Sequence, residues 1–163
     1  MEALTVALAE LRTAGGPPVL LRSSHDRLFC PGWDLKHLAG ADHETVADVL
    51  QRFNRLILEL FSYPGPTGAA IGGHAVAGGC LLALCCDLRI MVVGLPRIGL
   101  SELALGVPVP ASSIVMLRQR LAPNVVEELV LGGDGCGAER ARGLGVVDRM
   151  ADVESVVAKT GRE

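Results

Sequence analysis

The sequence predicts an α/β domain in which parallel strands and helices pack in layers. Short apolar runs of strand length alternate with longer stretches of helical periodicity, the pattern of strand–helix–strand units. The chain has 163 residues, enough for one domain and too few for two full ones, so residues 1–163 are taken as a single domain. Half of it is hydrophobic but only 3% is aromatic, so the core must be built from Ala, Val, Leu and Ile. A charged fraction of 20% excludes disorder as the general state.

The elements follow in order. Residues 3–12 read as a helix stopped by Gly15-Gly16-Pro17-Pro18. Val19-Leu20-Leu21 is a buried strand, followed by the turn Ser23-Ser24-His25-Asp26. Residues 29–34 read as a loop around Pro31-Gly32. Apolar residues at Val46, Val49, Leu50, Phe53, Leu56, Ile57 and Leu60 predict a helix over 43–61, ended by Pro64-Gly65-Pro66. A second strand covers 67–72, and Gly78-Gly79 opens a helix through Leu81, Leu82 and Leu84. Residues 88–92 are a third strand and 97–100 a short extended piece. Helices follow over 111–121, 125–131 and 138–144, then a strand at Val146-Val147 and a terminal helix over 153–159.

Composition narrows the partners. Lys+Arg 15 against Asp+Glu 18 leaves a net charge of −3, with no basic excess to neutralise a phosphate backbone, so nucleic acid is not expected. The mean hydropathy of +0.40 raises the membrane question. The most apolar window, 69–86, carries His74 and four glycines, so it reads as a strand–turn–helix and no membrane partner is expected. The N-terminus lacks the pattern of a secretory signal. Five cysteines without C-x-x-C spacing disfavour zinc and disulfides, and suit buried free thiols in a cytoplasmic protein.

Three segments carry possible chemistry. Gly72-Gly73-His74-Ala75-Val76-Ala77-Gly78-Gly79-Cys80 joins a strand to a helix without a P-loop ending or the dinucleotide fingerprint. A glycine turn there leaves helix N-terminal amides free for a phosphate or a developing oxyanion. The glycines equally serve close helix–strand packing. Pro31-Gly32 permits a tight turn that frees the amide of Trp33, or is an ordinary connection. Glu102 is a carboxylate inside an apolar stretch. Burial there would raise its pKa and make it a base; a helix-start signal is the plainer reading. No G-x-S-x-G elbow supports a thioesterase. His74 reads as a hydrogen-bonded core residue and Asp87 as a structural one.

Together and in this order, the three segments resemble the crotonase (enoyl-CoA hydratase/isomerase) superfamily. The resemblance rests on Leu28-Phe29-Cys30-Pro31-Gly32-Trp33-Asp34-Leu35-Lys36, on residues 77–89, and on Ile98-Gly99-Leu100-Ser101-Glu102 with Leu105-Gly106-Val107. The segment 137–148 resembles the part before the family's last domain. The resemblance implies a spiral of β-β-α units, here incomplete at both termini. Family members begin with further strands and continue past Val147 into helices that close the acyl site and build trimers. Uncovered sheet edges and a non-catalytic remnant are therefore the rival expectation.

The resemblance also implies an acyl-CoA thioester substrate. Coenzyme A arrives with that substrate, so no separate cofactor and no metal are expected, and a homo-oligomer of trimer type is. Its placement in fatty acid metabolism follows. The family's two oxyanion amides match Trp33 and Gly78. Cys30, Asp34, Lys36 and Leu81 match substrate-binding positions, Lys36 near the CoA or simply solvated. Hydratases, which are lyases, use two glutamates; the first matches Leu81, the second Glu102. One carboxylate suffices to carry a proton from the α- to the γ-carbon, so isomerisation of 3-enoyl-CoA to 2-enoyl-CoA is expected, with a hydratase as the alternative. Dienoyl-CoA isomerases place a carboxylate where this chain has Pro110.

Overall fold

The computed structural model describes residues 1–152, so the helix expected over 153–159 lies outside the described residues. Helix α1 (Glu2–Thr13) leads into strands β1 (Val19–Arg22) and β2 (Leu28–Cys30), a single turn α2 (Leu35–Leu38) and the long helix α3 (His43–Phe61). Strands β3 (Thr67–Ile71) and β4 (His74–Val76) precede α4 (Gly78–Cys85). Strands β5 (Leu88–Val92) and β6 (Ile98–Gly99) precede a 3₁₀ turn (Leu103–Leu105) and helices α5 (Ala111–Arg120), α6 (Pro123–Gly132) and α7 (Ala138–Gly143). Strand β7 (Arg149–Ala151) is last among them.

Two parallel sheets share these strands. One has the order β1-β3-β5-β7, the other β2-β4-β6. Each successive pair therefore gives its first strand to one sheet and its second to the other, then returns through a helix. That repetition is the β-β-α spiral. The apolar window 69–86 is divided among β3, β4 and α4, and no helix of the described residues is long and apolar enough to cross a membrane.

Helix α3 shows why the layers cohere. The Asp42 carboxylate accepts the Thr45 amide at 2.8 Å and caps its start. Phe53, Leu56, Ile57 and Leu60, spaced i, i+3, i+4 and i+7, are buried on one face. On α1, Leu8 meets that face, and the Arg12 guanidinium donates to the Glu59 carbonyl at 3.0 Å. Asp87 is structural, as expected: its carboxylate accepts the Thr67 amide at 3.0 Å and hydroxyl at 2.8 Å, and Arg120 at 3.1 Å.

Two expectations are corrected. Phe29 and Cys30 form the end of β2 rather than a loop, because His74–Val76 runs beside them as a strand that the glycine-rich surroundings concealed. The last described strand is Arg149–Ala151, not Val146-Val147. Those two valines are buried, but both amides donate to the Ala141 carbonyl, at 2.8 and 3.2 Å. With Gly145 at φ 75 donating to the Arg142 carbonyl, this is a Schellman stop, which uses the amides that a strand would pair.

Candidate active site

The site stands at the C-terminal ends of the three strands of the smaller sheet, where open parallel sheets bind ligands. Strand β2 ends at Cys30, three residues before Trp33. Strand β4 ends at Val76, two before Gly78, and β6 ends at Gly99, three before Glu102. Val76 and Gly99 are register partners, so Gly78 and Glu102 leave adjacent strand ends.

Glycines set the spacing. A Cβ on Gly79 would lie 1.9 Å from the Cys30 carbonyl oxygen, so α4 begins in backbone contact with β2. A Cβ on Gly78 would meet the Phe53 ring at 3.3 Å and Trp33 Nε1 at 3.6 Å. Gly32 takes φ 92 to swing Trp33 toward this point. Ala77, at φ 51 and ψ −121, is the single non-glycine residue with positive φ among those described. Such a conformation costs on the order of 1–3 kcal/mol and persists where neighbours enforce it. Here the Ala77 amide donates to the Gly99 carbonyl at 2.9 Å, locking the turn to β6. No side chain caps α4, which leaves its first amides to the helix dipole.

Trp33, Gly78, Leu81 and Glu102 line one cavity of about 300 Å³. Val46 and Phe53 from α3 close another side, and Leu105 and Pro108 the rim. Leu81, one turn along α4 from Gly78, is 1% exposed. Glu102 is 9% exposed and its Oε2 is buried without a hydrogen-bond partner. Burial pushes its carboxyl above the ordinary carboxylate range, and the Glu102 and Ser101 amides offset part of that. Ser101 is the other polar side chain of this wall besides the indole of Trp33.

The remaining expected site residues lie off the cavity wall. Asp34 and Lys36 are exposed, and the Asp34 carboxylate accepts the Lys36 amide at 3.0 Å. Cys30 is half-buried and contributes the carbonyl against which α4 rests. His74 accepts the Arg97 amide on Nδ1 at 3.2 Å and does not line the cavity. Phe53 and Val46 carried no sequence signal of their own, since their spacing is that of an ordinary buried helix face. Among the described residues, no group of three or more His, Cys, Asp or Glu is arranged to hold a metal.

Residues 1–162 match the enoyl-CoA hydratase/isomerase family. The mouse mitochondrial enoyl-CoA hydratase domain-containing protein 2 is 37% identical over 146 residues, covering 89% of this chain and 49% of that protein. Enoyl-CoA delta isomerase 3 of Arabidopsis thaliana is 31% identical over 148 residues, covering 87% and 62%. The crystal structure of human mitochondrial delta3-delta2-enoyl-CoA isomerase superposes with a TM-score of 0.90 at 28% identity, covering 97% of this chain and 62% of that one. The chain thus spans about half to three fifths of the length of these relatives.

Proposed function

The chain belongs to the enoyl-CoA hydratase/isomerase family, and on that premise we propose that it isomerises 3-enoyl-CoA to 2-enoyl-CoA with Glu102 as the sole proton carrier. The observation that supports this most is the buried Glu102 carboxylate, unpartnered at Oε2, in an apolar cavity shared with Gly78, Trp33 and Leu81.

The chemistry follows from the thioester. Glu102 takes a proton from the α-carbon, the C–H electrons move into the carbonyl system, and negative charge develops on the thioester oxygen. The amides of Trp33 and Gly78 donate to that oxygen. Fixed donors in a water-poor cavity stabilise such charge strongly, and loss of one typically costs about 10²–10³ in rate. Glu102 then returns the proton to the γ-carbon, and the double bond moves from β,γ to α,β. Atoms and charge balance without another reactant.

A carboxyl raised by burial suits this task, because a base with a pKa nearer the working pH both accepts and releases a proton readily. Hydration needs a further group to hold and activate water. Leu81, which by resemblance matches the other glutamate of the family's hydratases, is apolar and 1% exposed and offers no such group.

The test is turnover of a 3-enoyl-CoA by the wild type and by Glu102→Gln. Isomerisation by the wild type and its loss in the variant support the proposal. Full activity in the variant removes Glu102 from the mechanism. Hydration of a 2-enoyl-CoA at a rate matching isomerisation replaces the proposal with a hydratase. Absence of acyl-CoA binding by the folded chain replaces it with a non-catalytic role.

A further inference from the structure

We propose that the Trp33 side chain is an acyl-length gauge, and that the site takes short- to medium-chain acyl thioesters. This rests on the function proposed above and goes beyond it, since that reading uses only the backbone amide of Trp33.

The cavity has a mouth and a floor. Leu35 and Leu105, 48% and 50% exposed, mark the mouth. Phe53 and Leu81, 2% and 1% exposed, belong to the floor. Glu102 and Gly78 are also buried, so the reacting carbons would sit deep, with little room beyond them. The volume of about 300 Å³ is at the small end of the roughly 300–1,000 Å³ typical of ligand pockets.

Trp33, itself half-buried, lines this cavity and packs against the floor residue Phe53. Its ring meets Phe53 edge-to-face, with centroids 5.6 Å apart and planes at 83°. The chain has five aromatic residues, and two of them form this wall. Phe53 cannot recede, because it belongs to the buried core face of α3. The indole Nε1 is buried without a hydrogen-bond partner, so packing alone holds the ring. Truncating the side chain therefore opens the cavity beside Phe53 without breaking a side-chain hydrogen bond, and it leaves the Trp33 amide in place.

The experiment is kcat/KM and binding across 3-enoyl-CoA substrates of six to sixteen carbons, for wild type, Trp33→Phe and Trp33→Ala. One methylene that fits or fails to fit an apolar pocket changes kcat/KM by roughly 10–200-fold. The wild type is expected to prefer the shorter members. Trp33→Ala is expected to raise the long-to-short ratio of kcat/KM by about tenfold or more. Trp33→Phe, which keeps a ring on Phe53, should shift it the same way by less and stands in if the alanine variant fails to fold. Turnover with an unchanged length profile in a folded variant overturns the gauge and leaves the isomerase reading intact. Absence of binding and turnover at every length in the wild type overturns both.

Discussion

Replacing Gly79 by alanine tests the contact that sets the position of α4 against β2. The new Cβ would lie 1.9 Å from the Cys30 carbonyl oxygen and 2.7 Å from its carbon. Both are backbone atoms, so no side-chain rotation relieves the overlap; the helix must retreat by roughly 1 Å. Overpacking a close-packed interior costs about 1–3 kcal/mol, and a backbone clash belongs at the upper end. Alanine regains about 1 kcal/mol of helix propensity. The net loss is about 2 kcal/mol, or a fall in midpoint of about 4–8 °C for a domain of this size. Retreat of α4 also carries the Gly78 amide with it, and a misplacement of about 1 Å can cost on the order of 10²-fold in rate. The control is Gly143→Ala at the end of α7, where a Cβ meets nothing within 4 Å. That change should stabilise by about 0.4–1 kcal/mol. Thermal unfolding followed by far-ultraviolet circular dichroism reads the midpoint, and urea unfolding the free energy, of both. A Gly79→Ala midpoint at or above that of the wild type, with Gly143→Ala behaving as expected, refutes the reasoning.

Further outcomes follow from the same structure. The folded chain holds the Glu102 proton more tightly than the unfolded chain does, whose value is near 4.5, so its contribution to stability falls as pH rises from 4.5 to the raised folded value. Glu102→Gln should therefore match the wild type below pH 4.5 and equal or exceed its stability at pH 7, while kcat falls about 10²–10⁴-fold; a variant less stable at pH 7 contradicts this. Asp148→Ala removes the carboxylate partner of Arg89, which donates to Asp148 at 2.8 Å with only 7% of its side chain exposed and keeps only the Cys86 carbonyl at 3.1 Å. The expected loss is about 2 kcal/mol by urea unfolding, below the 3–5 of a fully buried pair because the carboxylate is partly solvated; a loss under about 0.5 counts against it. Among the thiols, Cys30 is half-buried, Cys80 and Cys85 are pushed well up by burial, and Cys86 to about 12. A thiol reagent on the native chain should label Cys30 first by mass spectrometry, and equal labelling of Cys80 would show that α4 opens.

The sequence carried those parts of the fold that are local. Helix α3 was legible with its observed bounds because four buried residues repeat on one face over 19 positions. Strands β2 and β4 were not, at three residues each, because so short a run has no measurable period, and β6 was legible only as an extended piece over 97–100. Their pairing is non-local: whether consecutive strands join one sheet or two depends on partners more than twenty residues away. The same difference divides the site. Glu102 stood out as a charge in an apolar run, and Trp33 and Gly78 through the glycine turns beside them. Phe53 had no such mark, since a cavity wall and a core face share one periodicity. What joins residues 33, 78 and 102 is register. Pairing Val76 with Gly99, and Cys30 with Ala75, sends all three connections off the same sheet end. Because strand side chains alternate, a slip of one residue in β6 would exchange the buried Ile98 for its neighbour and change where the strand delivers Glu102. The lock against that slip is Ile98 itself, whose amide and carbonyl pair with Cys136 at 2.9 and 2.8 Å. The loop before α7 thus takes part in placing the carboxylate, although Cys136 does not line the cavity.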